Sequence, residues 1–344
     1  MAEDHAFDLL LALQTLNYTA RLLVSELDPE RLTHRALDAL VDFGRCRRVA
    51  LLTMLPDGAA LQAAGVLSAD SFVDPDLTVA IADSPLAEVI AKRQIGSYPA
   101  VDDAPVPLPR HPHEPGDDRH LCLCMPLVDS RATVIGVVTF ERPAHDPLSY
   151  EERQALSVVG TLTAVALENA RLFTLATTDG LTGLYVRRFF EIRLREELAR
   201  SRRHGGCVGL VMTDIDHFKK FNDTYGHQQG DVILRELAGI YRLTVRKDVD
   251  IPCRYGGEEF VAILPATDLD GALRAAERLR AVTAEHAFPG GPEGTLHVTL
   301  SAGVAVSDGP QPLEFDELLS RADQALYRAK DSGRNRVVSW ADMA

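Results

Sequence analysis

Hydrophobic spacing divides the first part of the chain into helices followed by strands. Apolar residues recur at intervals of three and four, and Asp28 with Pro29 provides an N-cap and a first helical residue for the second helix. The predicted helices cover residues 6–27, 29–43 and one or two stretches within 77–93, the predicted strands 49–54, 121–128 and 134–142, and a loop with five prolines 102–119. This order predicts an α+β domain over residues 1–148.

The stretch 149–178 predicts one long helix that links two domains. Its apolar positions alternate by four and three, the spacing of a parallel coiled coil, and an asparagine occupies the missing position, where it fixes register and favours two strands. We therefore expect a dimer, although a helix packed against its own first domain is the alternative. The seam consists of Val158, Leu162, Val165, Asn169, Leu172 and Ala176.

The second half of the chain alternates helical and strand patterns. An amphipathic helix is predicted over 187–204, and the continuous apolar run 207–213 predicts a buried strand that ends at Asp214 and Asp216. Ligands of open α/β sheets bind at such carboxyl ends of strands. The other predicted helices are one that ends near residue 246 and two that cover 268–286 and 315–330. The other predicted strands cover 297–306 and 337–338. A second α+β domain is therefore predicted over 179–344.

A glycine pair followed by two acids, Gly256–Gly257 before Glu258 and Glu259, lies between the apolar runs 249–253 and 260–264. Adjacent glycines between strand-like runs predict a β-hairpin, because both central residues can take a positive φ. A hairpin does not need two adjacent carboxylates, whose charges repel unless a cation or hydrogen bonds hold them. A solvated polar turn is the alternative to a functional tip.

Composition narrows the class of protein. The 344 residues carry a formal net charge of −14, which argues against nucleic acid or an anionic membrane surface as the main partner. Charges interrupt the apolar runs before they reach the span of a bilayer, and the first residues lack a basic signal-peptide head. We therefore expect a cytoplasmic protein without a membrane partner.

Five cysteines at scattered spacings indicate reduced thiols rather than a disulfide framework. Cys122 and Cys124 would project from one face of a predicted strand. Together with His111, His113 and His120 they suggest a metal or haem site as one alternative. Because these residues do not form a four-ligand set with zinc-like spacing, we prefer burial in the strand core.

The first domain resembles a GAF domain. The resemblance rests on its flanking helices and on the strand segments Leu121–Leu127 and Ile135–Val138, not on a catalytic motif. It implies an antiparallel sheet with flanking helices. GAF domains bind small ligands or only dimerise, so an unknown small-molecule ligand is one implied partner.

Short motifs follow one another through the second domain. They are Asp179-Gly-Leu-Thr-Gly-Leu, Asp214-Ile-Asp-His-Phe-Lys, Asn222-Asp, Gly230-Asp231, Arg254-Tyr-Gly-Gly-Glu-Glu-Phe and Ala322-Asp-Gln-Ala-Leu-Tyr-Arg-Ala-Lys330. In this order and spacing they resemble the GGDEF family of diguanylate cyclases over residues 175–340. The resemblance implies condensation of two GTP molecules into cyclic di-GMP with loss of pyrophosphate, on a fold like that of class III nucleotidyl cyclases.

The resemblance also implies a metal site at the end of the apolar strand. Asp214, the main-chain carbonyl of Ile215 and Glu258 match the family's ligands, and oxygen donors suit Mg²⁺. A pair of Mg²⁺ ions in each half-site, with Mn²⁺ as an alternative, would polarise the α-phosphate and activate the attacking 3′-hydroxyl. Glu258 is the candidate acceptor of the hydroxyl proton, and Glu259 has a supporting role.

Other residues match the family's contacts to GTP. Asn222 and Asp231 match its guanine readers. A carboxylate can accept hydrogen bonds from the N1–H and N2–H donors of guanine, a pair that adenine lacks. Lys219 can also stabilise charge on the pentavalent phosphate. The matched phosphate contacts are Phe218, Lys219, Lys330 and Arg334.

One motif departs from the family pattern. The product-inhibition motif Arg-x-x-Asp falls on the window 247–250, where Asp250 is in place but Lys247 replaces arginine, and Arg246 is one residue out of register. Lysine cannot offer the planar bidentate fork of arginine. We therefore predict weak or absent feedback inhibition at this degenerate site.

The implied chemistry requires a homodimer, since each GGDEF domain holds one GTP and the product joins two. The first domain and the linking helix would then set whether the two halves meet. The rival interpretation is a catalytically silent domain that binds GTP and acts through protein contacts. Degenerate hairpin acids would mark such a domain, whereas Glu258 and Glu259 are intact.

Overall fold

The computed structural model describes residues 17–46, 48–68, 71–73, 76–101, 104, 106–114, 116, 119–291, 294–308 and 312–343. The chain divides into two compact units, Met1–Thr174 and Leu175–Ala344. Each unit combines a β-sheet with packed helices, which confirms an α+β fold with two domains.

The first unit is built on a seven-stranded antiparallel sheet. Its described elements are α1 (residues 17–25), α2 (Pro29–Gly44), β1 (Arg48–Met54), β2 (Ala60–Ser68), β3 (Ser71–Val73), β4 (Thr78–Ala80), α3 (Pro85–Lys92), β5 (Gly96–Pro99), β6 (His120–Val128), β7 (Val134–Pro143) and α4 (Tyr150–Thr177). The strand order is β3-β2-β1-β7-β6-β5, and β4 also pairs with β2.

Helix α2 and strands β1, β6 and β7 form where the sequence predicts them. The carboxylate of Asp28 accepts a hydrogen bond from the Arg31 amide at 2.8 Å and so caps α2. Residues 6–16 of the first predicted helix lie outside the described residues.

Cys122 and Cys124 lie in the strand core. Their Sγ atoms are 3.7 Å apart on the buried face of β6. Burial, and then the hydrogen bond with Cys124, raises the pKa of the Cys122 thiol well above its ordinary value. Both cysteines belong to an apolar core cluster with Leu52, Val66 and Val137, which favours the core interpretation of the pair.

The prediction of helix through residues 77–93 is wrong for its first part. Thr78–Ala80 is strand β4, and only Pro85–Lys92 is helical. β4 pairs with Ala60–Gln62 of β2, so partners distant in sequence outweigh the local apolar spacing. β2 itself is rich in alanine, which has low strand propensity, and its sequence therefore gives no strand signal.

Helix α4 buries one face in the first unit and leaves the predicted seam more open. Its buried residues are Leu156, Val159, Gly160, Thr163, Ala164, Ala166 and Ala170. On the seam, Val158 is 43% and Leu172 is 48% exposed. Val158 and Leu172 therefore lie off the packed face, whereas Leu162, also on the predicted seam, packs against a core cluster of the first unit.

Among the described helices, α4 is also long and apolar enough to cross a membrane. That is weak evidence, because core helices of soluble proteins pass the same test, and 33% of its apolar window is buried. The cytoplasmic location stays a prediction.

The second unit contains a mixed six-stranded sheet. Its elements are β8 (Tyr185–Val186), α5 (Arg187–His204), β9 (Val208–Ile215), α6 (Phe218–Tyr225), α7 (His227–Thr244), β10 (Ile251–Arg254), β11 (Glu259–Pro265), α8 (Leu269–Glu285), β12 (Phe288–Pro289), β13 (Thr295–Leu296), β14 (Leu300–Ser307), α9 (Phe315–Asp331), β15 (Val337–Ser339) and a 3₁₀ turn (Trp340–Asp342). The sheet order is β15-β14-β9-β11-β10-β8, and β12 pairs with β13 separately.

Strand β9 lies inside this sheet, and all of its residues are buried. Val211 and Ile215 contribute to a core cluster with α7 and α8, whereas Leu210 and Met212 contribute to another with α5 and α9. Burial on both faces explains why the strand is continuously apolar.

The hairpin forms where predicted, but the prediction that its two glycines take a positive φ is wrong. β10 and β11 pair from Ile251↔Ile263 to Arg254↔Phe260. Neither Gly256 nor Gly257 has a positive φ. The connection is wider than a two-residue turn, and a Cβ on Gly256 would lie 2.5 Å from Oε2 of Glu259. Glycine at this position therefore makes room for the Glu259 carboxylate.

Candidate active site

Two carboxylates lie where strand β9 ends beside the hairpin. Asp214, the penultimate residue of β9, pairs across the sheet with Glu259 of β11 and Ser301 of β14. Glu258 immediately precedes β11, and its carbonyl accepts a hydrogen bond from the Ile215 amide at 3.3 Å. The structure therefore brings Asp214, Ile215 and Glu258 to one end of the sheet.

Lys330, in the last turn of α9, joins these acids. Its Nζ lies 2.7 Å from Oδ2 of Asp214. Burial nevertheless raises the pKa of Asp214 above its ordinary value, against the opposing effect of the Lys330 hydrogen bond and charge. Burial, and next the charge of Asp214, also raises the pKa of Glu258. A further positive charge at this point would stabilise both ionised carboxylates.

These donors fit a hard divalent cation that shares its coordination with a substrate. No group of three or more His, Cys, Asp or Glu side chains in the described part of the chain is arranged to hold a metal. Two carboxylates and a main-chain carbonyl are a small protein share, and Mg²⁺ is often held by one or two carboxylates plus substrate phosphates.

Arg254 fastens the hairpin tip to the turn that begins at Asp179. Its Nη1 lies 3.0 and 3.2 Å from the two carboxylate oxygens of Asp179, and its Nη2 donates to the Gly257 carbonyl at 2.7 Å. One of these two oxygens, Oδ1 of Asp179, also accepts hydrogen bonds from the Thr182 amide and hydroxyl. Although burial acts to raise the pKa of Asp179, these hydrogen bonds lower it. The motifs contain both residues, but their pairing across 75 positions was not predicted.

Asn222 presents an unpaired acceptor beside the start of α7. Its Oδ1 is buried and has no hydrogen-bond partner among the described residues. Gly230 packs against this amide, and a Cβ there would overlap Asn222 Oδ1 and lie 3.2 Å from the Phe218 ring. Asp231 follows directly in α7 and is half-buried. The site thus combines an orphaned amide oxygen with a carboxylate, as a donor-rich ligand edge requires.

The remaining predicted substrate contacts lie at the start of α6 and in the turn after α9. His217 has a φ of 59° and turns the chain from β9 into α6, where Phe218 is buried and Lys219 is exposed. Arg334 lies in the turn after α9, and its charge acts on Asp214.

The degenerate inhibitory window lies at the opposite end of β10 from the hairpin tip. Asp250 is held by Arg246, whose Nε lies 3.0 and 3.1 Å from its two carboxylate oxygens. Arg246 also donates to Pro265 and Thr267 at 2.8 Å. Lys247 is exposed beside this pair. The out-of-register arginine therefore already binds the carboxylate of the motif.

Family comparisons divide the chain in the same way. Residues 176–336 match the family model "Diguanylate cyclase, GGDEF domain", and residues 26–168 match the model "GAF domain".

Individual relatives match the second domain. Response regulator PleD of Caulobacter vibrioides is 47% identical over 169 residues, which are 48% of this chain and 37% of PleD. Diguanylate cyclase DgcP of Pseudomonas aeruginosa is 46% identical over 164 residues, 47% of this chain and 24% of DgcP. The GGDEF domain of DgcB from Caulobacter crescentus, solved in complex with c-di-GMP, is 35% identical with a TM-score of 0.45, over 48% of this chain and 93% of that one. The chain thus spans less than half of either curated relative, and it carries a GGDEF domain at residues 176–336 and a GAF domain at residues 26–168.

Proposed function

We propose that this chain is a diguanylate cyclase, which condenses two GTP molecules into cyclic di-GMP and releases two pyrophosphates. The observation that carries the proposal is the meeting of Asp214, Glu258 and Lys330 at the end of β9. Two acids with raised pKa values and one lysine suit a substrate that brings both cations and phosphates. Relatives that are diguanylate cyclases support the same activity.

Asn222 and Asp231 bind guanine in this proposal. The orphaned Oδ1 of Asn222 and the carboxylate of Asp231 are acceptors, and guanine offers the N1–H and N2–H donors. Adenine lacks this adjacent donor pair, so Asp231 would be left unsatisfied, at a cost of about 1–3 kcal/mol. The site therefore prefers GTP to ATP.

Asp214, Glu258 and the Ile215 carbonyl would hold the divalent cations, with Mg²⁺ as the candidate and Mn²⁺ as the alternative. When bound, such ions polarise the α-phosphate and lower the pKa of the attacking 3′-hydroxyl. Glu258 accepts the proton of that hydroxyl, directly or through water. Glu259 keeps the hairpin in place for Glu258.

Positive groups hold the triphosphate. Lys330 lies in the last turn of α9 and Arg334 in the turn that follows, and both act on the same carboxylate, Asp214. Lys219 lies in the first turn of α6, where the Phe218 amide and its neighbours can donate to phosphate oxygens. Lys219 also stabilises the charge that develops on the pentavalent phosphate.

Two copies of the chain form the complete site, because each GGDEF domain binds one GTP and the product joins two. The exposed seam of α4 is the proposed contact. The GAF domain would control the output by favouring one dimer geometry, with an unidentified small molecule as the candidate signal. Feedback inhibition is weak, since Lys247 lacks the arginine fork and Arg246 occupies Asp250.

The test is to incubate the purified full chain with GTP and Mg²⁺ and to identify products by chromatography and mass spectrometry. Cyclic di-GMP is expected from the native chain and from Glu236→Ala, a control at a surface carboxylate 3.2 Å from His286. Glu258→Ala is expected to make none. Cyclic di-GMP made by Glu258→Ala would contradict the proposal, whereas a native chain that is dimeric and binds GTP but yields no product would be either held off by its first domain or catalytically silent.

A further inference from the structure

Asp216 is a buried carboxylate that the cation site does not use. It is 7% exposed, and its oxygens accept hydrogen bonds from the Ser301 hydroxyl at 2.6 Å, the Thr299 hydroxyl at 2.7 Å and the Asn335 amide at 2.9 Å. Its own amide donates to the Thr299 carbonyl at 2.9 Å. Because these donors engage both oxygens, Asp216 differs from Asp214, two residues earlier, in being held by neutral donors of the protein itself.

The Asn335 amide belongs to a turn with a costly backbone. Gly333, Arg334 and Asn335 have φ values of 115°, 63° and 45°. Residues other than glycine persist in this region only when their surroundings compensate for the strain. Asn335 is held at two points: its amide donates to Asp216, and its Oδ1 accepts from Nη1 of Arg280 at 2.7 Å. These two contacts hold the strained turn in place.

Arg334 is the central residue of that turn. Its charge reaches Asp214, and its amide donates to the Ala329 carbonyl at 3.1 Å, so its backbone is fixed between α9 and the sheet. We propose that Asp216 is a positioning residue, which fixes the Asn335 amide and thereby sets where Arg334 meets the triphosphate of GTP. This rests on the proposed function, in which Arg334 binds the triphosphate. The end of β9 then places both the cation ligands and a phosphate-binding arginine.

The variant Asp216→Ala tests this role, since it removes both acceptor oxygens, including the one that accepts from the Asn335 amide. Calorimetry on the full chain with Mg²⁺ would compare 3′-deoxy-GTP, which lacks the attacking hydroxyl, with GMP, which lacks the β- and γ-phosphates. We expect about tenfold weaker binding of 3′-deoxy-GTP and unchanged binding of GMP. A merely structural role would weaken both nucleotides together, because the guanine contacts would be disturbed as well, and that result would overturn the proposal.

The double variant Asp216→Ala with Arg334→Ala closes a thermodynamic cycle. If Asp216 acts through Arg334, the double variant binds 3′-deoxy-GTP no more weakly than Arg334→Ala alone, whereas additive losses would overturn the proposal. Should Asp216→Ala fail to fold, Ser301→Ala removes one of the donors that fix the Asp216 carboxylate and so loosens its hold on the Asn335 amide. It is expected to give a smaller loss confined to 3′-deoxy-GTP, and an equal loss for GMP, or none for either, would overturn the proposal.

Failure of the proposed function would look different. A native chain that binds neither nucleotide would overturn the proposed function and this inference with it. Native binding with parallel losses in the variants would overturn the role of Asp216 alone.

Discussion

The ammonium of Lys330 lies 2.7 Å from a carboxylate oxygen of Asp214, which joins the last turn of α9 to the end of β9. Burial raises the pKa of Asp214, and Lys330 opposes that rise. Lys330 therefore stabilises the ionised form of the carboxylate that cation binding requires.

Replacing Lys330 with alanine should consequently shift the pH dependence of the reaction. Without the ammonium the pKa of Asp214 rises further, so the acid limb of kcat/KM should move to higher pH. The loss of a hydrogen bond between charged groups predicts a fall in kcat/KM of about ten- to a hundredfold. Arg328→Ala is the matched control, because the Arg328 side chain is 60% exposed and its contact with Asp331 is long, at 3.9 Å. An unshifted acid limb in Lys330→Ala would contradict this role.

Glu258→Gln should stabilise the chain in the absence of divalent cations. Burial and the Asp214 charge raise the folded-state pKa of Glu258, so the folded protein holds this proton more tightly than the unfolded chain does. The resulting stabilisation is complete below the unfolded-state pKa and is lost as pH rises through the folded-state value. At pH 7 the native chain has lost it, whereas a neutral glutamine avoids the cost of an ionised group.

The measurement is thermal unfolding by circular dichroism with a chelator present. The midpoint of Glu258→Gln should exceed that of the native chain at pH 7, and the difference should shrink as pH falls below the folded-state pKa. Added Mg²⁺ should raise the native midpoint and leave the variant nearly unchanged, because binding stabilises only the form with the ligand. The exposed Glu285, replaced by glutamine, serves as control. A native midpoint that Mg²⁺ does not raise would contradict the site.

Arg254→Lys should weaken both the fold and the reaction. The arginine binds both oxygens of Asp179 and the carbonyl of Gly257, which precedes Glu258, and a lysine cannot reproduce that fork. We expect a loss of about 1–3 kcal/mol in the free energy of unfolding and a lower kcat. Adding Asp179→Asn to Arg254→Lys should cost little beyond the loss in Arg254→Lys alone, since the two residues form one contact. Arg188→Lys, at an exposed position, should change neither quantity.

Local sequence predicted the buried strands and the acidic hairpin because each has a signal within a few residues. β9 is continuously apolar, and the Gly256–Gly257 pair marks a chain reversal even though neither residue has a positive φ. Thr78–Ala80 was missed because its strand depends on pairing with β2, not on its own pattern.

Side-chain partnerships were less accessible from sequence. Asp214 and Asp216 are both acids of one short motif, yet their partners differ. Asp214 pairs with Lys330, whereas Asp216 accepts hydrogen bonds from two hydroxyls and an amide that lie 83 to 119 positions away. Only the sheet register and the turn after α9 bring those donors together. For the same reason the motifs contain both Arg254 and Asp179 but do not predict that the two side chains pair.

The product should inhibit the native enzyme weakly, and two substitutions should restore inhibition. Lys247→Arg supplies the arginine that the motif lacks, but Asp250 stays bound to Arg246. We expect little inhibition of Lys247→Arg alone and clear inhibition when Arg246→Ala also frees the carboxylate, with Arg246→Ala alone as the control. Initial rates and calorimetric binding of cyclic di-GMP provide the measurement. Micromolar binding to the native window would contradict the prediction.

The exposed stripe of α4 should determine self-association. Leu172 is 48% exposed on the seam, whereas Val159 and Ala164 on the other face are fully buried. Leu172→Glu would place like charges against each other across a parallel seam, so sedimentation should show loss of the dimer and assays should show loss of cyclic di-GMP synthesis. Unfolding of each chain should change little, because Leu172 is not part of a core. Ser157→Glu, exposed but off the seam, should keep both the dimer and the activity.

The two readouts separate two kinds of failure. A Leu172→Glu chain that stays dimeric would place the contact elsewhere and leave the cyclase proposal intact. A monomeric chain with full activity would be more serious, because a product that joins two nucleotides needs two facing half-sites. Activity that falls with the dimer and returns at higher protein concentration would instead show that the variant weakens association and not the chemistry within each domain.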